Sequence, residues 1–398
     1  VFYVTSGKNY IMKKEFGIYI HIPFCSSICP FCNFNVYIDN KNDHLALIAS
    51  IMDEILYMSH IFKGNTLKSI HIGGGTPSLL KVENLEKIIS EIYRIFKPDH
   101  QVEICIEINP YKFELEDFEN YHNIGINRVS VGIQSFDNKK LKKLGRQSNE
   151  QKNIEICEQL NKSKILNINY DLIFGVPGET LASLEDDLNK SIELEPKHIS
   201  TYLLTIEEDT PFFNLVGKNK FHENTDDEVI DKIELIENVL KTNNFNQYEI
   251  SNYAKDSFES KHNLLYWNNC SYLGIGPGAH SHFVDHEKKI YKRWENYRDV
   301  KKYIGLASSN QNRFNSQEVF DINMYIKDSI MMGLRQNNGV NIQKLKAVKD
   351  FEFDKSEISK LLKLNLIEFK KNYLRLTCKG RQLSNKVLGN IINNLKGL

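Results

Sequence analysis

Six short apolar runs recur along the first half of the chain, each followed by a longer amphipathic stretch. The runs are GIYIHIPF (17–24), SIHIGGG (69–75), EICIEIN (103–109), RVSVGIQS (128–135), ILNINYDLIFG (165–175) and HISTYLLT (198–205). β-Branched and aromatic residues dominate them and Gly, Pro or Asn bound them, which predicts strands. Between them, stretches such as HLALIASIMDEILYMSHIF (44–62) and LEKIISEIYRIF (85–96) keep apolar residues near a 3.6-residue period, which predicts helices. Strand then helix, repeated six times, predicts βαβ units around a parallel sheet. A closed barrel of this class needs about eight units. The expected fold is therefore α/β: a partial (β/α)6 TIM-like barrel, open on one side.

After about residue 206 the pattern breaks into short aromatic-rich pieces: QYEISNYA (247–254), KHNLLYW (261–267) and YLGIGPGAHS (272–281). The glycines and Pro277 read as turns packed against the open side of the barrel. From about 315 the chain looks helical again, and LIEFKKNYLRLT (366–377) reads as a hairpin around Lys-Lys-Asn. Helices followed by a two-stranded wing predict a small winged-helix-like domain. The expected division is an N-terminal extension (1–16), the barrel (17–210), an extension closing the barrel (211–310) and the C-terminal winged-helix-like domain (311–398).

Composition narrows the function only a little. Of 398 residues 41% are hydrophobic and 26% charged, with 51 Lys and Arg against 51 Asp and Glu, so the molecule as a whole has no bias toward nucleic acid or an anionic membrane. Residues 320–398 hold 15 Lys and Arg against 7 Asp and Glu, a net of +8, leaving −8 on the remainder. A basic winged domain could bind RNA or DNA, but a solvated face, or a docking surface for acidic partners or anionic lipid headgroups, is the favoured reading. No apolar run approaches the roughly 18 residues of a membrane span, and residues 1–17 lack the apolar core of a secretory signal. Cys105, Cys157, Cys270 and Cys378 are scattered singly, as reduced thiols in a cytoplasmic protein would be.

The chemistry-bearing residues gather at the ends of the predicted strands, where barrel enzymes place their sites. Cys25, Cys29 and Cys32 follow the first run, GGGTP the second, and Glu107 and Gln134 stand in the third and fourth. Cys-x3-Cys-x2-Cys has three readings. It is a set of structural thiols, which the loop prolines Pro23 and Pro30 disfavour. It is a zinc site, for which a fourth ligand at short spacing is missing and His21 precedes the loop inside a strand. Or it is an iron–sulfur cluster with three irons on cysteine and one left open for another ligand.

In this spacing the three cysteines resemble the radical S-adenosylmethionine (SAM) superfamily. Within it, YIHIPFC, GGGTPSLL, EINP, RVSVGIQSF, DLIFGVPGET, HNLLYW and YLGIGPGAHS resemble the group containing oxygen-independent coproporphyrinogen III oxidases and the related heme chaperones, from about Tyr19 to Gly380. The resemblance implies a [4Fe–4S] cluster on Cys25, Cys29 and Cys32, and SAM on the open iron. It implies that Tyr19 and Phe31 flank both, Phe31 near the adenine, and that Gly74, Gly75 and Thr76 admit the methionine moiety. Glu107, Gln134, Arg146 and Asp171 would supply polar contacts, with Arg146 on the SAM carboxylate. His262 of HNLLYW is the candidate heme ligand.

Two features separate the branches. The oxidase has a fourth cysteine where Phe34 stands, and a longer extension than the 24 residues preceding Cys25. Both favour a heme chaperone, although Ser148 stands where many chaperones have histidine. The implied partners are heme, respiratory heme-protein acceptors at or near the membrane surface, an electron donor if SAM is cleaved, and a second copy of the chain. No nucleic-acid partner is expected. The alternatives are an active coproporphyrinogen III oxidase and a radical SAM enzyme that modifies RNA.

Overall fold

The computed structural model describes residues 14–110, 113–208, 210–216, 224–307 and 313–398. Most of the expected N-terminal extension lies outside them. Strand β1 (Glu15–Ile22) opens the alternation, followed by α1 (His44–Met58), β2 (Thr66–Gly74), α2 (Val82–Phe96), β3 (Glu103–Ile108) and α3 (Leu115–Asn123). It continues through β4 (Arg128–Gln134), α4 (Glu150–Lys162), β5 (Asn167–Phe174), α5 (Leu181–Glu193) and β6 (His198–Leu203). All six predicted strands form, and neighbours in this series pair in parallel. Helix starts are fixed locally: the Asn149 side chain accepts from Lys152 N at the head of α4, and Thr180 accepts from Ser183 N at the head of α5.

Side chains alternate across these strands. Ile18, Ile20, Ile70, Ile72, Ile104, Ile106, Val129 and Val131 are buried in the main hydrophobic core together with helix residues such as Ile51, Ile88 and Leu160. The intervening residues are polar and line the barrel interior. In register, Tyr19 stands beside His71 and His71 beside Cys105; Glu107 stands beside Ser130, Ser130 beside Asn169, and Asn169 beside His198. A core on the outside and a polar lumen inside is the arrangement that leaves room for a ligand.

The next elements are α6 (Asp226–Thr242), β7 (Asn246–Gln247), β8 (Asn252–Ala254), α7 (Lys261–Trp267), β9 (Ser271–Ile275), β10 (His280–Asp285), β11 (Ile290–Asn296) and β12 (Phe314–Val319). One twelve-stranded sheet results, in the order β12-β11-β10-β9-β1-β2-β3-β4-β5-β6-β8-β7. The aromatic-rich segment thus widens the sheet at both edges, and β9 adds a seventh parallel strand beside β1. Gly274 lets β10 fold back closely on β9: a Cβ there would fall 2.0 Å from the His280 carbonyl oxygen. The sheet runs on to Val319, past residue 310.

The C-terminal part has its own core, including Ile326, Ile330, Leu361, Leu374 and Val387. Helix α8 (Ile322–Gly333) leads to β13 (Val340–Asn341), α9 (Ile342–Val348) and α10 (Lys355–Lys363). The expected hairpin then forms as β14 (Ile367–Lys370) and β15 (Tyr373–Leu376), with Lys371 at φ +55° in the turn, and β13 pairs with β15. Among the described residues no helix is long and apolar enough to cross a membrane.

Candidate functional site

A cavity of about 620 Å3 runs from the C-terminal rim of the barrel into its lumen. Its lining includes Cys25, Cys29, Cys32, Tyr19, Phe31, Gly74, Gly75, Glu107, Gln134, Arg146, Asp171 and His262, twelve of the thirteen residues singled out from sequence. The thirteenth, Thr76, reaches the site through its hydroxyl, which donates to Cys25 Sγ at 3.6 Å and accepts from Asn109 Nδ2 at 2.8 Å.

The cysteine loop leaves β1 after Pro23 and returns at Tyr37, whose N–H donates to Pro23 O at 2.7 Å. Cys32 N donates to Cys29 O at 3.0 Å, tightening the turn between them. All three thiols are partly buried. Burial pushes the thiols of Cys25 and Cys32 up, the neighbouring cysteines push them further, and Arg146 opposes this. Arg146 Nη1 donates to Cys29 Sγ at 3.5 Å, while Nη2 donates to Asn109 Oδ1 and Gly132 O. Among the described residues no three His, Cys, Asp or Glu side chains gather as the ligands of a single metal ion. Soft thiols on one loop, spread around a cavity with a guanidinium beside them, suit a polynuclear anionic cluster better than one bare ion.

The glycines of the rim are required by close packing against the protein itself. A Cβ at Gly73 would lie 2.7 Å from Glu107 Oε1, one at Gly74 2.5 Å from His21 Nδ1, and one at Gly75 2.5 Å from Phe24 O. Glu107 is held in turn by Gly74 N at 3.1 Å and His71 Nε2 at 2.7 Å. Gln134 sits at φ +66° on an irregularity between β4 and β5, an uncommon backbone for a non-glycine residue that aims its amide over Gly132. Asp171 is held by Ser130 Oγ at 2.7 Å and Asn169 Nδ2 at 2.8 Å, and burial, with Glu107 nearby, raises its pKa. Phe31 packs on the small cluster of Leu144, Ile173 and Val176.

His262 lies at the inner end of the cavity. Helix α7 closes the N-terminal base of the barrel, its first N–H groups at Lys261 and His262 aimed at Glu103 from 3.3 Å. His262 is 2% exposed, with Nδ1 on Ser69 Oγ and Nε2 on the Tyr266 hydroxyl, both at 2.8 Å. Its ring stacks on His71, centroids 5.0 Å apart. Burial pushes the His262 imidazole far below its ordinary pKa and the charge on His71 adds to this. For His71, burial works downward but Cys105 and Glu107 outweigh it, leaving the pKa well above the ordinary value. His262 faces the cavity from behind, with both nitrogens engaged.

Sequence reasoning passed over His71, Asn109, Asn169 and His198, which position Glu107, Arg146 and Asp171 directly or through one neighbour. Their signal was strict alternation, as in I-H-I, V-S-V and I-N-Y-D, which marks a polar lumen face on every strand.

The arrangement can hold a soft-metal cluster and bind a ligand carrying both carboxylate and amino or hydroxyl groups beside it. Residues 19–190 match the Radical SAM superfamily and residues 324–383 the HemN C-terminal domain. Over 380 residues the chain is 32% identical to the heme chaperone HemW of Lactococcus lactis, covering 95% of this chain and 97% of that one. The chain belongs to the HemW family. It is likewise 32% identical to HemW of Bacillus subtilis, over 95% of this chain and 99% of the relative, and 35% identical to HemW of Escherichia coli, over 66% and 69%. Its fold is that of the Escherichia coli coproporphyrinogen III oxidase HemN, a radical SAM enzyme, with a TM-score of 0.80 at 19% identity over 95% of this chain and 90% of that one.

Proposed function

We propose that this protein is a heme chaperone that holds a [4Fe–4S] cluster and SAM and passes heme to respiratory heme proteins at the cytoplasmic face of the membrane. The observation that carries the reading is one cavity in which three partly buried thiols meet Arg146, Glu107 and Asp171. Cys25, Cys29 and Cys32 would hold the cluster, whose open iron supplies a site for SAM and a source of one electron to its sulfonium. Arg146 would pair with the SAM carboxylate, as a guanidinium fork does. Glu107 and Asp171 would accept from its amino and ribose hydroxyl groups, with Gln134 alongside. Phe31 would cover the adenine, Tyr19 would wall the lumen side, and Gly74, Gly75 and Thr76 would keep the rim low enough for the methionine moiety to approach.

In this reading residues 17–210 carry the cluster and SAM, the segment after them completes the sheet as far as Val319, and the basic C-terminal domain beyond it meets the acceptor. Any turnover that cleaves SAM needs an external electron donor. His262, the heme ligand that the resemblance implies, would reach iron only by exchanging its bonds to Ser69 and Tyr266.

Anaerobic reconstitution with iron and sulfide, followed by spectroscopy with and without SAM and heme, tests the reading. The expected outcome is a cluster absorption band that SAM perturbs and a Soret band on heme addition, both in wild type. A Soret band that fails to form, together with conversion of coproporphyrinogen, would establish the oxidase in its place.

A further inference from the structure

Large apolar side chains exposed to water are worth explaining when they cluster. Three do so at the cavity mouth: Phe34 is 70% exposed, Ile28 44% and Leu203 40%, and all three line the opening that the cysteines also line. They come from distant parts of the chain, the cysteine loop and the end of β6. Side-chain packing ties the two segments: Phe31 of the cysteine loop and Leu204 both pack against the small cluster of Leu144, Ile173 and Val176.

The rim is also basic on one side. The short helix Asn138–Lys143 follows β4, and Gly145 just after it abuts Pro30 of the cysteine loop. Lys142 is exposed, and Lys143 Nζ donates to Pro177 O at 2.6 Å on the adjoining rim loop. An apolar mouth with cations on the helix that ends beside the cysteine loop suits a flat hydrophobic ring system that carries carboxylates.

Volume decides where such a ligand goes. A cavity of about 620 Å3 falls in the range of roughly 300–1,000 Å3 that encloses one drug-sized ligand, and the proposed SAM takes that place. At the inner end of the same cavity Tyr19, His71 and Tyr266 pack around the His262 ring, and both of its nitrogens already hold hydrogen bonds, to Ser69 and Tyr266.

The geometry points to the mouth of the cavity as the seat of heme: the macrocycle lies on Phe34, Ile28 and Leu203, with its propionates toward Lys142 and Lys143. This rests on the heme-chaperone reading and assigns its ligand to the rim. Phe34 thus provides a ring face in the position where the cysteine pattern of the oxidase branch has another thiol.

The test is hemin titration of the reconstituted full-length protein, read at the Soret band, with cluster absorption and SAM binding recorded on the same samples. F34S/L203S should weaken heme binding by about tenfold or more while SAM binding stays within about twofold of wild type. K142E/K143E should weaken heme binding but leave binding of heme dimethyl ester, which lacks propionate charge, unchanged. Heme affinity unchanged in both double variants but abolished in H262A would overturn the rim seat in favour of α7. Wild type that binds no heme under any condition would instead remove the chaperone reading itself.

Discussion

The two ends of the barrel differ in how their polar groups are satisfied. At the base, the Glu103 carboxylate receives Ser260 Oγ, Lys261 N and His262 N at 3.3–3.4 Å, and Arg128 at 3.5 Å. Arg128 donates further to Asn167 Oδ1 at 3.0 Å and Phe258 O at 3.1 Å. At the rim, Cys25 and Cys29 have only long side-chain contacts, from Thr76 at 3.6 Å and Arg146 at 3.5 Å, and Phe34 stands in water. The base is a finished plug whose groups answer one another. The rim is built from donors and apolar faces whose best partners lie outside the chain. Stability and binding should therefore separate along the barrel axis.

Glu103→Ala breaks the base. It leaves Arg128, 2% exposed, without its carboxylate, and stranding one partner of a buried pair costs about 3–5 kcal/mol. The denaturant midpoint should fall accordingly, with SAM binding retained at low denaturant in whatever fraction stays folded. Cys29→Ala should do the opposite: cluster absorption after reconstitution is lost, while stability of the cluster-free protein changes by less than about 1 kcal/mol. If the two variants affected stability equally, the division between the ends would fail.

That division was half visible in the amino-acid sequence. Glycine-bounded apolar runs and amphipathic intervals are local signals, so β1 to β6 and their helices could be read directly. The cysteines, Glu107, Gln134 and Asp171 sit at or near strand ends, so their convergence followed once the strands were placed. Strand β9 was not legible, because its place depends on pairing with β1 from more than 250 residues away and its glycines mimic turns. The base was hidden for a related reason. Nothing near Glu103 in sequence announces that the head of α7 will close on it, so the candidate heme ligand His262 carried no sign of its burial or of its bonds to Ser69 and Tyr266.

Glu54 anchors the rim from the interior, and pH can probe it. Glu54 on α1 is 1% exposed and accepts from Gly276 N at 3.0 Å, Asn296 Nδ2 at 2.7 Å and the Tyr303 hydroxyl at 2.5 Å, holding the turn after β9. Burial raises its pKa to about 7, against the opposing hydrogen bonds. Because the folded value lies above the unfolded one, the folded state holds the proton more tightly. The stabilisation is complete below the ordinary carboxylate range and is lost as pH rises through about 7. A shift of this size corresponds to at most about 3 kcal/mol. Denaturant midpoints at acid and alkaline ends of that window should show the loss in wild type and not in Glu54→Gln. A Gln variant with an undiminished pH slope would place the titrating group elsewhere.

The smallest expected effect is the most local, and it tests whether the rim shapes the cysteine loop. Gly145 has φ +67°, and a Cβ there would lie 2.4 Å from Pro30 Cδ, inside the loop that carries Cys29 and Cys32. Gly145→Ala combines a left-handed backbone penalty of about 1–2 kcal/mol with displacement of that loop. It also disturbs Arg146, the next residue. Cluster incorporation should fall and SAM affinity with it, while the Glu103 plug, at the other end of the barrel, stays intact. Adding Pro30→Ala removes the clashing ring but not the backbone strain. The double variant should therefore recover cluster incorporation and keep the stability deficit. Recovery of both would mean that the clash alone mattered; recovery of neither would mean that Gly145 acts through Arg146 and not through the cysteine loop.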